Sequence, residues 1–250
     1  MNRRPLASPV SYFALSCIQE RDPDGAAWAG EIAHAREDPM MITGTVPKRM
    51  RWWIEARFGM FIHWRVYSNR GRGERVMYQE HFSNKEYARL AEQSRPSHFN
   101  ARDGVSMAQD ASMRYMGFDN VPSRGVRLFD SQVSGFTAPK MAARREFIAE
   151  NAEACQSAGM RMGFYDSLED WRFLGQLPHL PIKADSMYEP MVEQAHAQVH
   201  KVCSNYDKVD VLWYDGYFPS HVWRAQELNA MVRRLQPDMS RYVGGSCVWD

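Results

Sequence analysis

Short apolar runs ending in polar residues alternate along this chain with longer segments of helical periodicity. FGMFIH (58–63), Tyr115–Phe118, MRMGFY (160–165) and VDVLWY (209–214) each read as a buried strand, being short, rich in β-branched, aromatic or other apolar residues and bounded by polar positions. VRLF (126–129) is a weaker third apolar patch, and RYVGG (241–245) begins a further strand. Between them lie helical patterns. Ser83 caps NKEYARLAEQ, in which Tyr87, Leu90 and Ala91 share a face. Further helices are predicted over 103–113, 140–157, 186–204 and 222–235, with Gly159 stopping the second of these. Residues 19–50 are polar and carry Pro23, Pro39 and Pro47, which predicts a lead-in segment with one short helix at 26–36. The expected organisation is a lead-in over 1–50 and one α/β domain over 51–250.

Strand and helix in alternation predict an α/β fold with a mostly parallel sheet. The first strand is followed by no GxGxxG, which argues against a dinucleotide-binding fold. His63, Asp166 and Asp215 all fall at or just past the C-terminal ends of predicted strands. That one-sided placement favours a barrel, in which chemistry sits on the rim formed by those ends.

Composition narrows the function. The net charge is +1 with basic residues scattered apart from RGRGER (70–75), so nothing points to a nucleic-acid partner. No run of apolar residues is long enough for a membrane span, and stable membrane insertion is not expected. Cys17, Cys155, Cys203 and Cys247 form no CxxC pair and read as separate thiols, not as a zinc site. HExxH, GxSxG and a phosphate loop are all absent. Eight Trp, eleven Tyr and twelve Phe suit either core packing or the CH-rich faces of sugars, and composition does not separate the two.

The candidate chemistry concentrates at the strand tips. Asp215 follows LWY and precedes Gly216, a carboxylate held at the end of a buried strand. His63 and Trp64 end the first strand, where an imidazole can hydrogen-bond a hydroxyl and an indole can pack on a ring. Glu74, Glu80 and His81 lie in or near the loop that follows. Tyr165, Asp166, Glu169, Asp170 and Trp171 crowd the third tip, where close carboxylates would raise the pKa of one of them. Paired carboxylates among aromatic residues and histidine suit glycoside hydrolysis, which in retaining enzymes needs a nucleophile and an acid/base about 5 Å apart.

RWWIEARFGMFIHW (51–64), GERVMYQEHFSNKEYARLAEQ (73–93), GFYDSLEDW (163–171) and VDVLWYDG (209–216) together resemble the α-L-fucosidases, glycoside hydrolase family 29. The likeness runs from about residue 51 to 240, up to ELNAMVRRLQPD at 227–238. It implies a (β/α)8 TIM-like catalytic barrel and retaining hydrolysis of terminal α-L-fucosyl residues, with a fucosylated glycan or glycoside as substrate and no cofactor or metal. It assigns Asp215 as nucleophile, and His63, Trp64, Glu74, Tyr165 and Trp213 as substrate-binding residues, with Asp166 an alternative to Tyr165 in the alignment. A periplasmic or secreted location follows from the resemblance, whereas the N-terminal segment shows no clear cleavage site and leaves a cytoplasmic one open.

This chain departs from the family pattern at several points. The family's HWG reads HWR, placing Arg65, and its GEW reads GER, placing Arg75. VPSRGV (121–126) stands where the family has K-H-H-D-G-F. The family's Y-Y-S is Tyr165, Asp166, Ser167, and MSRYVGG follows LQPD in place of V-N-D-R. The expectation is therefore a divergent, truncated member with an incomplete barrel. Two other functions remain open: a catalytically impaired carbohydrate-binding relative, and a hydrolase of another sugar whose acidic group Arg65 and Arg75 would read.

Overall fold

The computed structural model describes residues 48–73, 76–121, 126–131, 135, 137–168, 170, 188–215 and 220–243. The chain divides into two units, Met1–Phe58 and Gly59–Asp250. In the first, helix α1 (Lys48–Ala56) is described, and the predicted helix at 26–36 lies outside the described residues. The second contains β1 (Met60–Ile62), α2 (Val76–Gln79), α3 (Asn84–Gln93), α4 (Ala101–Asp110), β2 (Tyr115–Val121), α5 (Phe147–Ser157), β3 (Arg161–Ser167), α6 (Glu189–Asn205), β4 (Val211–Asp215), α7 (Ala225–Leu235) and β5 (Ser240–Val243).

Local chemistry sets the helix ends. Ser83 Oγ accepts from Glu86 N at 3.3 Å while Glu86 Oε2 accepts from Ser83 N at 2.9 Å, a capping box that starts α3 at the predicted residue. Asn100 Oδ1 accepts from Arg102 N at 3.1 Å, so α4 starts two residues before the predicted 103. The helix predicted over 140–157 begins only at Phe147, because Arg144 adopts φ +50° and breaks the chain between a 3-10 turn at Ala138–Lys140 and α5. Gly159, at φ +64°, ends α5 as predicted. The patch at 126–129 is not a strand: Val126, Leu128 and Phe129 are buried, but among the described residues the segment makes only one isolated bridge, between Arg127 and Thr137.

The five described strands pair in chain order, β1-β2-β3-β4-β5, and every pair is parallel. Parallel neighbours require crossovers, and crossovers are right-handed. Since the order never reverses, each crossover falls on the same face of the sheet. A doubly wound sheet reverses at a switch point; this one winds in a single direction, as a (β/α) barrel does.

Residue alternation separates the two faces. Met116, Phe118, Met162, Phe164, Leu212 and Tyr214 point to the helix-covered side and are buried. Tyr165, Ser167, Trp213 and Asp215 alternate with them and are only partly buried. On that second face the Phe61 ring of β1 meets Trp213 of β4 at 5.7 Å and Tyr165 of β3 at 6.4 Å between centroids. Three strand spacings in a flat sheet amount to about 14 Å, so side chains standing off it would not meet. The sheet therefore curls, with the partly buried face on the concave side. Gly117 and Gly163 make room there. A Cβ on Gly117 would lie 2.5 Å from the Phe61 ring, and one on Gly163 would lie 2.7 Å from Val211 Cβ.

Gly117→Ala is thus expected to destabilise the protein by about 1–3 kcal/mol in chemical denaturation, through overpacking against Phe61. Adding Phe61→Leu should recover part of the loss. An alanine variant as stable as the native chain would argue against the Phe61 ring filling the concave side.

Candidate active site

The concave face gathers four of the sequence-predicted residues at the strand tips. Ser167 and Asp215 are register partners on β3 and β4, as are Tyr165 and Trp213 two residues earlier. Their rings stack, tilted by 23°, at 6.4 Å. The Tyr165 hydroxyl donates to Asp215 Oδ2. The Asp215 carbonyl accepts from Leu168 N at 3.0 Å, which holds the end of β4 to the end of β3. His63, just past β1, sets its ring edge-on to Tyr165 at 4.7 Å and remains accessible, with its side chain 31% exposed. The result is a carboxylate, a phenol and an imidazole in succession along one rim, backed by the Phe61 and Trp213 rings.

Asp119 joins this group, and sequence reading missed it. The second strand was expected to end at Phe118, but it continues to Val121. Asp119 then pairs in register with Tyr165 on the concave face. Its Oδ2 lies 3.3 Å from His63 Nδ1 and accepts from Arg65 Nε at 2.5 Å, while Arg65 Nη2 meets Oδ1. The signal available in the sequence was FDN, an acidic residue at the concave phase of the alternation. Burial pulls the Arg65 guanidinium down to about 10, still far enough above neutrality to keep it charged. With Asp119 as its counter-ion, Arg65 gives no support to the reading in which it binds an acidic sugar.

Other predicted residues go elsewhere. Trp64 faces the helix layer, its ring 5.0 Å from Phe99 and 5.0 Å from Phe147, and is not brought to Asp215. Glu74, Arg75, Glu169 and Trp171 lie outside the described residues. Glu80 pairs with Arg72 and, at 3.8 Å, with Arg70. Asp170 is buried, 3.2 Å from Arg127 Nη2, and accepts from Gln194 Nε2 at 2.9 Å, so its role is structural pairing. Among the described residues no cluster of His, Cys, Asp and Glu could hold a metal, and no helix is long and apolar enough to cross a membrane. Cys155 and Cys203 are free, buried thiols, both pushed up to about 12 by burial.

Asp166 corrects the expectation of a carboxylate pair. Its alternation phase turns it away from Asp215 to the helix-covered side, where it is fully buried. Its pKa is raised to about 7, but by burial, against the opposing pull of Asn120, Arg65 and Arg127. No neighbouring carboxylate is responsible. It therefore has the pKa of a general acid without the position of one.

A family profile described as Alpha-L-fucosidase matches residues 35–246. The chain belongs to the alpha-L-fucosidase family. Tissue alpha-L-fucosidase of Rattus norvegicus is 25% identical over 213 residues, covering 77% of this chain and 46% of that protein. The Homo sapiens tissue alpha-L-fucosidase is 24% identical over 194 residues, covering 70% and 41%. The chain thus spans about half the length of these curated relatives. Alpha-L-fucosidase isoenzyme 1 from Paenibacillus thiaminolyticus superposes with a TM-score of 0.70 at 29% identity, over 78% of this chain and 49% of that one. Unliganded alpha-L-fucosidase AlfC from Lactobacillus casei gives 0.67 at 25% identity, over 78% and 70%. The parallel sheet with alternating helices is the fold this alpha-L-fucosidase family member shares with both.

The buried Asp166 gives a stability test. Its folded pKa lies above the ordinary carboxylate value, so between about pH 4 and 7 the folded state holds a proton that the unfolded state has lost. Stability from this group is complete below that window and falls as pH rises through it, by at most about 1.4 kcal/mol per pH unit for one proton. Asp166→Asn should flatten this fall in denaturation midpoints measured from pH 4 to 8. An unchanged slope would show that Asp166 is not the group responsible.

Proposed function

We propose that the chain is an α-L-fucosidase-like retaining glycoside hydrolase acting on terminal α-L-fucosyl residues of glycans or glycosides. The observation that carries the reading is the placement of Asp215. It ends a parallel strand on the concave face, oriented by the Tyr165 hydroxyl and next in line from an accessible His63. A strand-tip carboxylate held by a neighbouring phenol is a nucleophile whose rotamer is fixed before substrate arrives. Family membership supports this substrate class.

In this reading an Asp215 oxygen attacks the anomeric carbon as the bond to the leaving oxygen breaks. The leaving oxygen takes a proton from a carboxylic acid, and the sugar becomes an ester of Asp215. Water, deprotonated by the same group, then cleaves the ester with net retention. His63 and Tyr165 offer hydrogen bonds to sugar hydroxyls, and Trp213 with Phe61 forms the apolar backing. Glu74 is assigned a hydroxyl contact by the family likeness, whereas Trp64, packed on Phe99 and Phe147, is given no part in the pocket. The catalytic unit is assigned to residues 51–250.

The test uses p-nitrophenyl α-L-fucoside. The native chain should turn it over, and Asp215→Asn should reduce kcat by about a thousandfold or more, as loss of a covalent nucleophile does. Asp215→Gly with azide should regain turnover and release β-fucosyl azide, since the small anion attacks from the face the carboxylate occupied. Saturable fucose binding without turnover by the native chain would instead identify a binding protein.

A further inference from the structure

Asp119 and Arg65 are 54 positions apart and form a buried pair directly beneath His63. Their side chains are 7% and 8% exposed, against 31% for His63. A carboxylate meeting a guanidinium at both oxygens is an acceptor only. Its contact with His63 Nδ1 at 3.3 Å therefore requires that nitrogen to donate. Which imidazole nitrogen carries the proton is set by the hydrogen bond the other makes, and here the Nδ1 bond settles it. The Nε2 atom is then left without a proton in the neutral ring. The same pair sets the plane of the ring, because Asp119 approaches from β2 while Tyr165 meets the ring edge-on from β3.

We propose that Arg65 and Asp119 are positioning residues that hold His63 in the Nδ1–H tautomer, so that it meets a sugar hydroxyl as a hydrogen-bond acceptor through Nε2. Arg65 acts at one remove: its charge keeps Asp119 an acceptor in a site where a lone buried carboxylate would tend to take a proton. The sugar contact rests on the glycosidase reading, whereas the tautomer does not.

The tautomer is read by nitrogen-15 NMR of the imidazoles at about pH 8, with the His63 signals assigned by their loss in His63→Gln. The native chain should show a protonated Nδ1 and a bare Nε2. Asp119→Ala should move the proton to Nε2. Because Asp119→Ala strands the Arg65 charge, the double variant Arg65→Leu, Asp119→Ala removes both charges and should give the same switch. A native His63 protonated on Nε2, or one that keeps Nδ1–H in the double variant, overturns the proposal. On p-nitrophenyl α-L-fucoside, Asp119→Ala should lower kcat/KM by about 10–100-fold, as loss of an outer supporting partner does. It should add little to His63→Gln when the two are combined, since the effect passes through that histidine. Additive losses would mean a general structural role and also overturn it. If the native chain shows no turnover, the glycosidase reading fails while the NMR result still decides the tautomer.

Discussion

The Phe61 ring lies across the concave face of the sheet, and the site depends on that contact. It reaches from β1 over Gly117 to Tyr165 and Trp213. Strands one, three and four have no direct hydrogen bonds between first and last, yet their tips must converge if His63, Tyr165 and Asp215 are to serve one ligand. An aromatic wedge seated over Gly117 draws them together without using a polar group. A flat version of the same sheet would have the same residues and no site.

The two faces of the sheet treat charge differently. On the concave side charges are arranged in series, from Arg65 through Asp119 to His63, then across the rings to Tyr165 and Asp215. On the helix side they are closed off: Arg127 meets Asp170, and Gln198 turns its amide oxygen to the same guanidinium. Asp166 sits between Arg65 and Arg127 in the electrostatic sense, yet burial outweighs both and keeps it largely protonated below neutrality. Pairing buried charges is costly to undo one partner at a time, which makes this layer a poor place to tune activity.

Much of the layout was legible in the sequence because it follows from short-range patterns. The capping box at Ser83 and Glu86 and the stop at Gly159 are local chemistry, and both sit where predicted. The strand tips carrying His63, Tyr165, Trp213 and Asp215 were readable from apolar runs ending in polar residues. What was missed depends on partners far away in the chain. Asp and Asn are poor strand formers, so β2 was cut short at Phe118; Asp119 stays in the strand because Arg65 neutralises it. Arg65 itself read as a ligand-binding charge, because nothing nearby in the sequence announces its counter-ion. The patch at 126–129 had a strand's apolarity, but that reflects burial under the helix layer, which apolarity alone does not distinguish from sheet pairing.

The two-residue alternation along β3 and β4, and along β2 as far as Asp119, has a further consequence for how this site tolerates change. Glycine at 117 or 163 precedes Asp119 or Tyr165 by one repeat, and Val211 precedes Trp213 in the same way. The pleat thus acts as a parity check. Losing or gaining one residue inside β3 would exchange Tyr165 with Asp166, carrying the phenol into the helix layer and a buried carboxyl out to the rim. Substitutions can adjust this pocket gradually, whereas single-residue insertions or deletions in its strands would turn it inside out.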